Sequence, residues 1–518
     1  MSVSARSAVI NLRLLIAGLL AIAAGAGVAV LPEQALVLVI TAALAVCLLA
    51  LIFAEPVVGL ALTLFVAPFA PLENIMLNLP VESGQVLLFV TLAAWLARAL
   101  VRRRMGKVSG PLMWPLLAFI AVGVLSFFAA RSADLWAREC LKWIEVLAVY
   151  AMTVNELDTG RRSRNILIGA ILASTLFEAA LGSYQFWLRG SGPASFLISG
   201  TSHYRAYGTF EQPNPFGGYM GLTWPFAAGL AMYMVRRAIA QRRAHTPVTR
   251  STIGVIILAA VTAMTAGLSL FALVLSWSRG AWLGAAAAGA VMVFILLRRP
   301  LQSLAVLTAA VIVVVAVGTM GLIPQSLIGR LTDFTREFTS FDVRNVTVTS
   351  ANHAVIERLA HWQAAENMIV AHPYFGVGFG NYTAAYEQYR TLNWPLALGH
   401  AHNYYLNVFA EMGIVGLVAY IMLWAAVFIR SVQRTQETST MQDRRLQGRG
   451  GSASSSVGIS AMPLAGFVAL GLVGSWVQLS VHQVVDNLFV ANIPLLIAVF
   501  IGLLDGLHNP PATEDAGI

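Results

Sequence analysis

The run LQSLAVLTAAVIVVVAVGTMGLI, residues 301–323, carries no charged side chain along its whole length. About 20 helical residues cover the hydrocarbon core of a bilayer, so this run reads as a helix that crosses a membrane. Comparable apolar runs lie near 9–30, 35–54, 56–71, 84–101, 111–129, 138–154, 165–187, 216–235, 252–275, 281–297, 403–429, 462–481 and 488–507. The composition agrees, with 58% hydrophobic residues, 11% charged residues and a mean hydropathy of +0.74. A soluble domain is about half apolar and a quarter charged, and the alternating segments of a membrane barrel are missing here. The sequence therefore predicts an all-α polytopic integral membrane protein with about 12–14 transmembrane helices. The run at 56–71 contains Pro56, Pro68 and Pro71 and reads either as re-entrant or as spanning. The run at 9–30 follows Arg6 and Arg13 and contains small residues, as a signal peptide does. The many runs after it favour an uncleaved first helix.

Charge sets the orientation. The net charge is +9, but the basic residues fall in short clusters between apolar runs. These are Arg102, Arg103, Arg104 and Lys107; Arg161, Arg162 and Arg164; Arg236, Arg237, Arg242 and Arg243; Arg298 and Arg299; and Arg430, Arg434, Arg444, Arg445 and Arg449. Alternating helices put all five clusters on one side, which the positive-inside rule makes cytoplasmic. No basic stripe with interleaved aromatics is present, so nucleic acid is not an expected partner. Cys47 and Cys140 form neither a disulfide framework nor a metal-ligand spacing and read as small buried residues.

The chain divides into N-terminal transmembrane helices (1–200), central helices with outer arginine motifs (201–323), a large outer loop (324–402) and C-terminal helices (403–518). The last part includes a cytoplasmic linker at 430–461, rich in Gly and Ser over 446–460. Long loops are commonly functional. Within the outer loop, Ile356, Leu359, Trp362 and Ile369 recur near helical spacing, which predicts a helix over 355–370 lying on the membrane surface or capping a cavity.

Chemistry concentrates on the outer side. In Arg205-Ala-Tyr-Gly-Thr-Phe-Glu-Gln-Pro-Asn-Pro-Phe-Gly-Gly218 prolines and glycines break regular structure just before a helix. Arg205 there either holds an anionic group near a helix N-terminus or snorkels from an ordinary turn. In Ser276-Trp-Ser-Arg-Gly-Ala-Trp282, Arg279 lies on the side opposite the arginine clusters. An arginine at membrane depth is costly, so it calls for an anionic partner. Ser278 lacks the Gly-x-Ser-x-Gly setting of a hydrolase nucleophile.

In Gly399-His-Ala-His-Asn-Tyr-Tyr-Leu-Asn-Val-Phe-Ala-Glu-Met-Gly-Ile-Val-Gly416, a loop re-enters an apolar helix. An imidazole ordinarily titrates at about 6.5 and is largely neutral at pH 7, so His402 is a general-base candidate. His400, Asn403 and Glu411 are secondary candidates. His400 and His402 could instead bind a metal, but two histidines without further local ligands fall short of a metal set. Gly413 and Gly416 are read as allowing close helix packing. Gly376-Val-Gly378-Phe-Gly380-Asn381 lacks a surrounding βαβ pattern and reads as a structural turn.

Taken in this order, Arg205–Gly218, Ser278-Arg279-Gly280, His372-Pro373 with Gly376-x-Gly378-x-Gly380-Asn381, and His402-Asn403-x-x-Leu406 with Glu411-x-Gly413-x-x-Gly416 resemble the O-antigen ligase family, which also contains O-antigen polymerases. The resemblance covers about 200–420. It implies a metal-independent, inverting glycosyltransferase with no cofactor, multi-pass in a bacterial inner membrane, with its site facing the periplasm. The implied donor is a glycan on undecaprenyl diphosphate. The implied acceptor is lipid A-core for a ligase, or another glycan for an O-antigen or exopolysaccharide polymerase. Arg205 and Arg279 would then engage the diphosphate, and His402 would activate the acceptor hydroxyl. The outer loops carry no Asp-x-Asp pair, which fits a metal-free transferase. The rival class is a secondary transporter or lipid flippase, for which charged residues near helix midpoints would be expected.

Overall fold

A computed structural model describes residues 33–77, 82–103, 105–243, 249–297, 299–322, 327–330, 342–349, 352–391, 393–447 and 462–507. The expected first helix at 9–30 and most of the Gly/Ser-rich segment, 448–460, lie outside the described residues. The first half of the chain forms α1 (Glu33–Ala54), α2 (Pro56–Val66), α3 (Ala70–Leu77), α4 (Ser83–Val101), α5 (Met113–Leu125), α6 (Ala133–Asp158), α7 (Arg161–Trp187) and α8 (Pro213–Arg243). The second half forms α9 (Arg250–Leu275), α10 (Arg279–Leu297), α11 (Pro300–Thr319), α12 (His353–Ala371), α13 (Tyr382–Tyr389), α14 (Tyr404–Gln447), α15 (Leu464–His482) and α16 (Ile493–Gly506). The protein is all-α, and eight of the described helices are long and apolar enough to cross a membrane. α6 and α8, of 26 and 31 residues, match them in length.

Burial sorts the helices into centre and rim. The most apolar stretch of α15 is 78% buried, whereas that of α11 is 6% buried. The run at 301–323 thus faces outward for nearly its whole length, as its uniform apolarity requires in lipid. α15 packs against α8, α10 and α14, and α16 packs against α6.

The two ends of the bundle differ in chemistry. At one, Arg162 Nη1 meets Glu55 Oε1 at 3.5 Å, Arg430 Nε lies 3.3 Å from Asp505 Oδ1, and Arg236 Nη1 donates to the Met462 carbonyl at 2.6 Å. At the other, Ser132 N donates to Asn381 Oδ1 at 2.7 Å and Asn492 Nδ2 to Glu82 Oε2 at 2.7 Å. Helix alternation places the described members of all five arginine clusters at the first end.

α2 connects the two ends. It begins beside the Glu55–Arg162 pair and ends at Ala67, whose carbonyl accepts from Asn492 Nδ2 at 3.4 Å. The re-entrant alternative for 56–71 therefore gives way to an end-to-end segment. Its prolines sit where no backbone donor is needed: Pro56 opens α2, Pro68 lies in a 3-10 turn and Pro71 is in the first turn of α3.

Other expectations are refined. Cys140 is buried, but Cys47 is exposed on α1 among the described residues. Residues 430–447 of the expected linker continue α14 as helix. The loop helix predicted over 355–370 is α12, which buries Ile356, Leu359, Ala364, Ala365 and Met368 and packs on α13 and α14. Gly413 does not serve helix–helix packing: it sits at φ 64 in a kink inside α14. A Cβ there would lie 2.2 Å from the Tyr374 carbonyl carbon. The kink frees the carbonyls of Ala410 and Glu411, which accept from Val377 N and Gly378 N at 3.0 and 2.9 Å. The glycine-rich 376–381 segment is thus a structural turn docked on a broken helix, as read from its sequence.

Candidate functional site

The candidate site lies at the end opposite the arginine clusters. Four irregular segments meet there: 188–212, 276–278, 390–403 and 483–492. Each leaves backbone groups unpaired by helix, and side chains from the neighbouring segments take them up.

The two outer arginine segments touch. Arg205 Nε donates to the Ser276 carbonyl at 2.9 Å and Nη2 to Asn214 Oδ1 at 2.9 Å. Ala206 N donates to the Leu275 carbonyl at 2.9 Å. The 276–278 turn is tight, with Trp277 at φ 57 and Ser278 N bound to Ser276 Oγ. It ends at Arg279, the first residue of α10. Gly280 lets this turn approach α15 closely, since a Cβ there would lie 2.6 Å from His482 Cδ2. Burial, joined by the charges of Arg330, Arg358 and Arg279 and opposed by Asp486, lowers the Arg205 guanidinium to about 9. Four charged groups remote in sequence are therefore close enough to act on Arg205, three of them cations.

His402 occupies the left-handed region at φ 52, an uncommon conformation for a non-glycine residue that is retained where surroundings enforce it. The enforcement is visible. His402 N donates to His400 Nδ1 at 3.0 Å, Ala401 N donates to Asn407 Oδ1 at 3.0 Å, and Trp362 Nε1 of α12 donates to the His402 carbonyl at 3.4 Å. Asn403 caps α14, its Oδ1 accepting from Leu406 N at 3.1 Å. His402 Nδ1 lies at ion-pair distance, 3.5 Å, from Asp486 Oδ1, and neither buried ring nitrogen has a hydrogen-bond partner among the described residues. Burial alone would raise the Asp486 carboxyl, but the neighbouring His402 and the charge of Arg358 outweigh it and hold the carboxyl well below the usual range.

The secondary candidates separate by what their atoms already do. His400 Nδ1 accepts a backbone hydrogen bond, so its ring proton sits on Nε2 and no lone pair is left for a base. Burial lowers the His400 imidazole to about 3, with His402 adding to the effect. His361 of α12 has its ring 5.7 Å from that of His402 and its Nδ1 3.1 Å from Tyr382 Oη. Burial and then His402 lower it to about 4. Glu411 is buried, and its two oxygens accept from Gly380 N and Tyr382 N, both at 3.0 Å. It anchors the glycine turn and the start of α13.

His400, His402 and Asp486 offer ligand atoms that all lie within 4.8 Å of one another. The donor set fits a cation poorly, because the His400 lone pair is committed and the charge of Arg358 already acts on Asp486. A His402–Asp486 pair at ion-pair distance describes it better.

Asp486, Arg358, Arg330 and His361 were not singled out from the sequence. A signal for Asp486 existed: His482 and Asp486 are four residues apart at the end of an otherwise apolar run, where polar groups are costly. Arg358 lies on the helix predicted over 355–370, and nothing in the local sequence shows that its charge acts on Asp486.

Residues 264–421 match a family model described as O-antigen ligase. Over these residues, less than a third of its length, the chain is similar to the O-antigen ligase family. The match to the O-antigen ligase model includes Arg279, Arg358, His400 and His402 and leaves Arg205 and Asp486 outside it. No curated protein matches the chain.

Proposed function

We propose that this protein transfers a glycan from an undecaprenyl-diphosphate-linked donor to an acceptor hydroxyl at the outer face of a bacterial inner membrane. His402 is the general base, Asp486 its orienting acid, and Arg205, Arg279 and Arg358 the ligands of the diphosphate. The family likeness supports a membrane ligase or polymerase of lipid-linked glycans. The observation that supports the rest is that Arg279, Arg330 and Arg358 lie close enough to Arg205 for their charges to act on it, with Asp486 opposing them. Like charges forced together in a half-buried site are unfavourable until an anion joins them. A diphosphate carries the right sign and more than one charge, and arginine forks match phosphate oxygens.

The chemistry follows from the tautomer. Asp486 faces His402 Nδ1 and keeps the ring proton there, which leaves the Nε2 lone pair available. The acceptor oxygen forms a bond to the anomeric carbon while its proton passes to Nε2. The bond from that carbon to the diphosphate oxygen breaks, and the electron pair leaves with the diphosphate. Attack opposite the leaving group inverts the anomeric configuration. The guanidiniums meet the charge that develops on the leaving group, and fixed cations do this without reorganising.

The test is transfer by the purified full-length protein from a defined lipid-linked glycan. His402→Ala should cost about 10²–10⁴-fold in kcat, the usual worth of a general base. Arg205→Ala and Arg279→Ala should each cost about 10²–10³-fold in kcat/KM. All three proteins should still insert and melt cooperatively. Full activity of His402→Ala would remove it from the mechanism, and loss of activity with EDTA restored by a divalent metal would refute the metal-free reaction. In a lipopolysaccharide-making host, deletion separates the two acceptors. Bare core marks a ligase, and core capped with one repeat marks a polymerase.

A further inference from the structure

Two polar side chains of α7 have no place in the reaction above. Glu178 and Gln185 are seven residues apart, two helical turns, so they share one face. Both are buried. A polar group buried in the apolar part of a bundle is costly unless paired, and a leucine would fill the same volume without that cost.

Every side-chain hydrogen bond these two make among the described residues goes to residues 207–209. Gln185 Oε1 accepts from Tyr207 N at 3.1 Å and Gly208 N at 2.7 Å, and Nε2 donates to the Gly208 carbonyl at 2.9 Å. Glu178 Oε2 accepts from Thr209 N at 3.0 Å, and Oε1 lies 2.6 Å from Thr209 Oγ1. Thr209 Oγ1 is also 2.8 Å from the Pro68 carbonyl. One hydroxyl proton cannot serve both neighbours. The count closes when the group at 178 brings a donor of its own, as a carboxylic acid or a carboxamide does.

Arg205 stands two residues before this clamped segment, and its other flank is held by the 276–278 turn. We propose that Glu178 and Gln185 are positioning residues for phosphate recognition. They fix the 207–209 backbone, and through it the place of the Arg205 guanidinium, from a helix that the family model does not reach. The proposal rests on the reading of Arg205 as a diphosphate ligand.

The experiment measures binding of undecaprenyl diphosphate to the full-length protein in nanodiscs, together with the melting temperature. Glu178→Leu and Gln185→Leu should each raise Kd by about tenfold, a modest share of what a misplaced ligand group can lose. Glu178→Gln should restore Kd to within about twofold, because a carboxamide makes the same bonds. Melting temperatures should not follow Kd, as they would for a purely structural role. Wild-type Kd in both leucine variants, with weak binding by Arg205→Ala, overturns this inference alone. Wild-type Kd in Arg205→Ala overturns the reading of Arg205 and this inference with it. If Glu178→Leu does not fold, Gln185→Leu decides.

Discussion

Asp486 keeps its charge although it is buried, because His402 and Arg358 face it. Its removal as a charge therefore acts on the imidazole. In Asp486→Asn the Nδ1 proton loses its anionic acceptor, and the ring is free to take the other tautomer with the lone pair turned away from the substrate. We expect kcat to fall by about 10²–10⁴-fold with donor KM little changed, as when the orienting acid of a catalytic histidine is neutralised. A proportional rise in donor KM instead would assign Asp486 to binding. Arg205 carries a pH prediction. Its lowered value of about 9 means that it is charged at neutral pH and loses that charge as pH rises through this value. Affinity for undecaprenyl diphosphate should hold below pH 8 and weaken between pH 8 and 10, where an ordinary arginine would not titrate. A flat titration to pH 10 would mean that Arg205 keeps its charge throughout this range.

At the scale of elements, the break in α14 is the device on which the outer loop is built. Gly413 turns the chain, Glu411 binds the starts of the glycine turn and α13, and α12 then lies over the His402 segment through Trp362. Gly413→Ala meets both a left-handed backbone and a carbonyl carbon 2.2 Å from its new Cβ. The backbone term alone costs about 1–3 kcal/mol in this essentially glycine-only region, and relieving the clash adds to it. A lower melting temperature and faster proteolysis within 372–403 should result. An unchanged melting temperature would mean that the kink is not fixed by this glycine. The sequence announced α12 correctly by its apolar spacing but misassigned Gly413, because a kink glycine and a packing glycine look alike without their neighbours.

For the whole molecule, topology makes the last prediction. In a background with Cys47→Ser and Cys140→Ser, single cysteines at Arg102 and at His353 lie at opposite ends of the bundle. A membrane-impermeant maleimide should label only the second in intact cells and both after lysis. Labelling of both from outside would overturn the proposed orientation. Charged residues inside helices, which would have favoured a transporter, do occur, and several of them bind backbone or one another. Glu178 holds Thr209, and Lys142 lies 2.7 Å from Glu139 and donates to the Phe489 carbonyl at 3.2 Å, on the loop that carries Asp486.

The sequence by itself determined the all-α membrane class, the helical segments from residue 35 onward and the common side of the arginine clusters. The bilayer acts on each helix separately, and its demand for about 20 apolar residues is local and legible. Arg205, Arg279 and His402 stood out for the same reason, as polar groups at apolar boundaries. Only the tertiary structure joined them to Asp486 and Arg358, turned Glu411 and Asn403 into anchors and caps, and gave Glu178 and Gln185 a target. Lateral packing in lipid rests on close van der Waals fit between helices distant in sequence, and no periodicity within one segment encodes its neighbour.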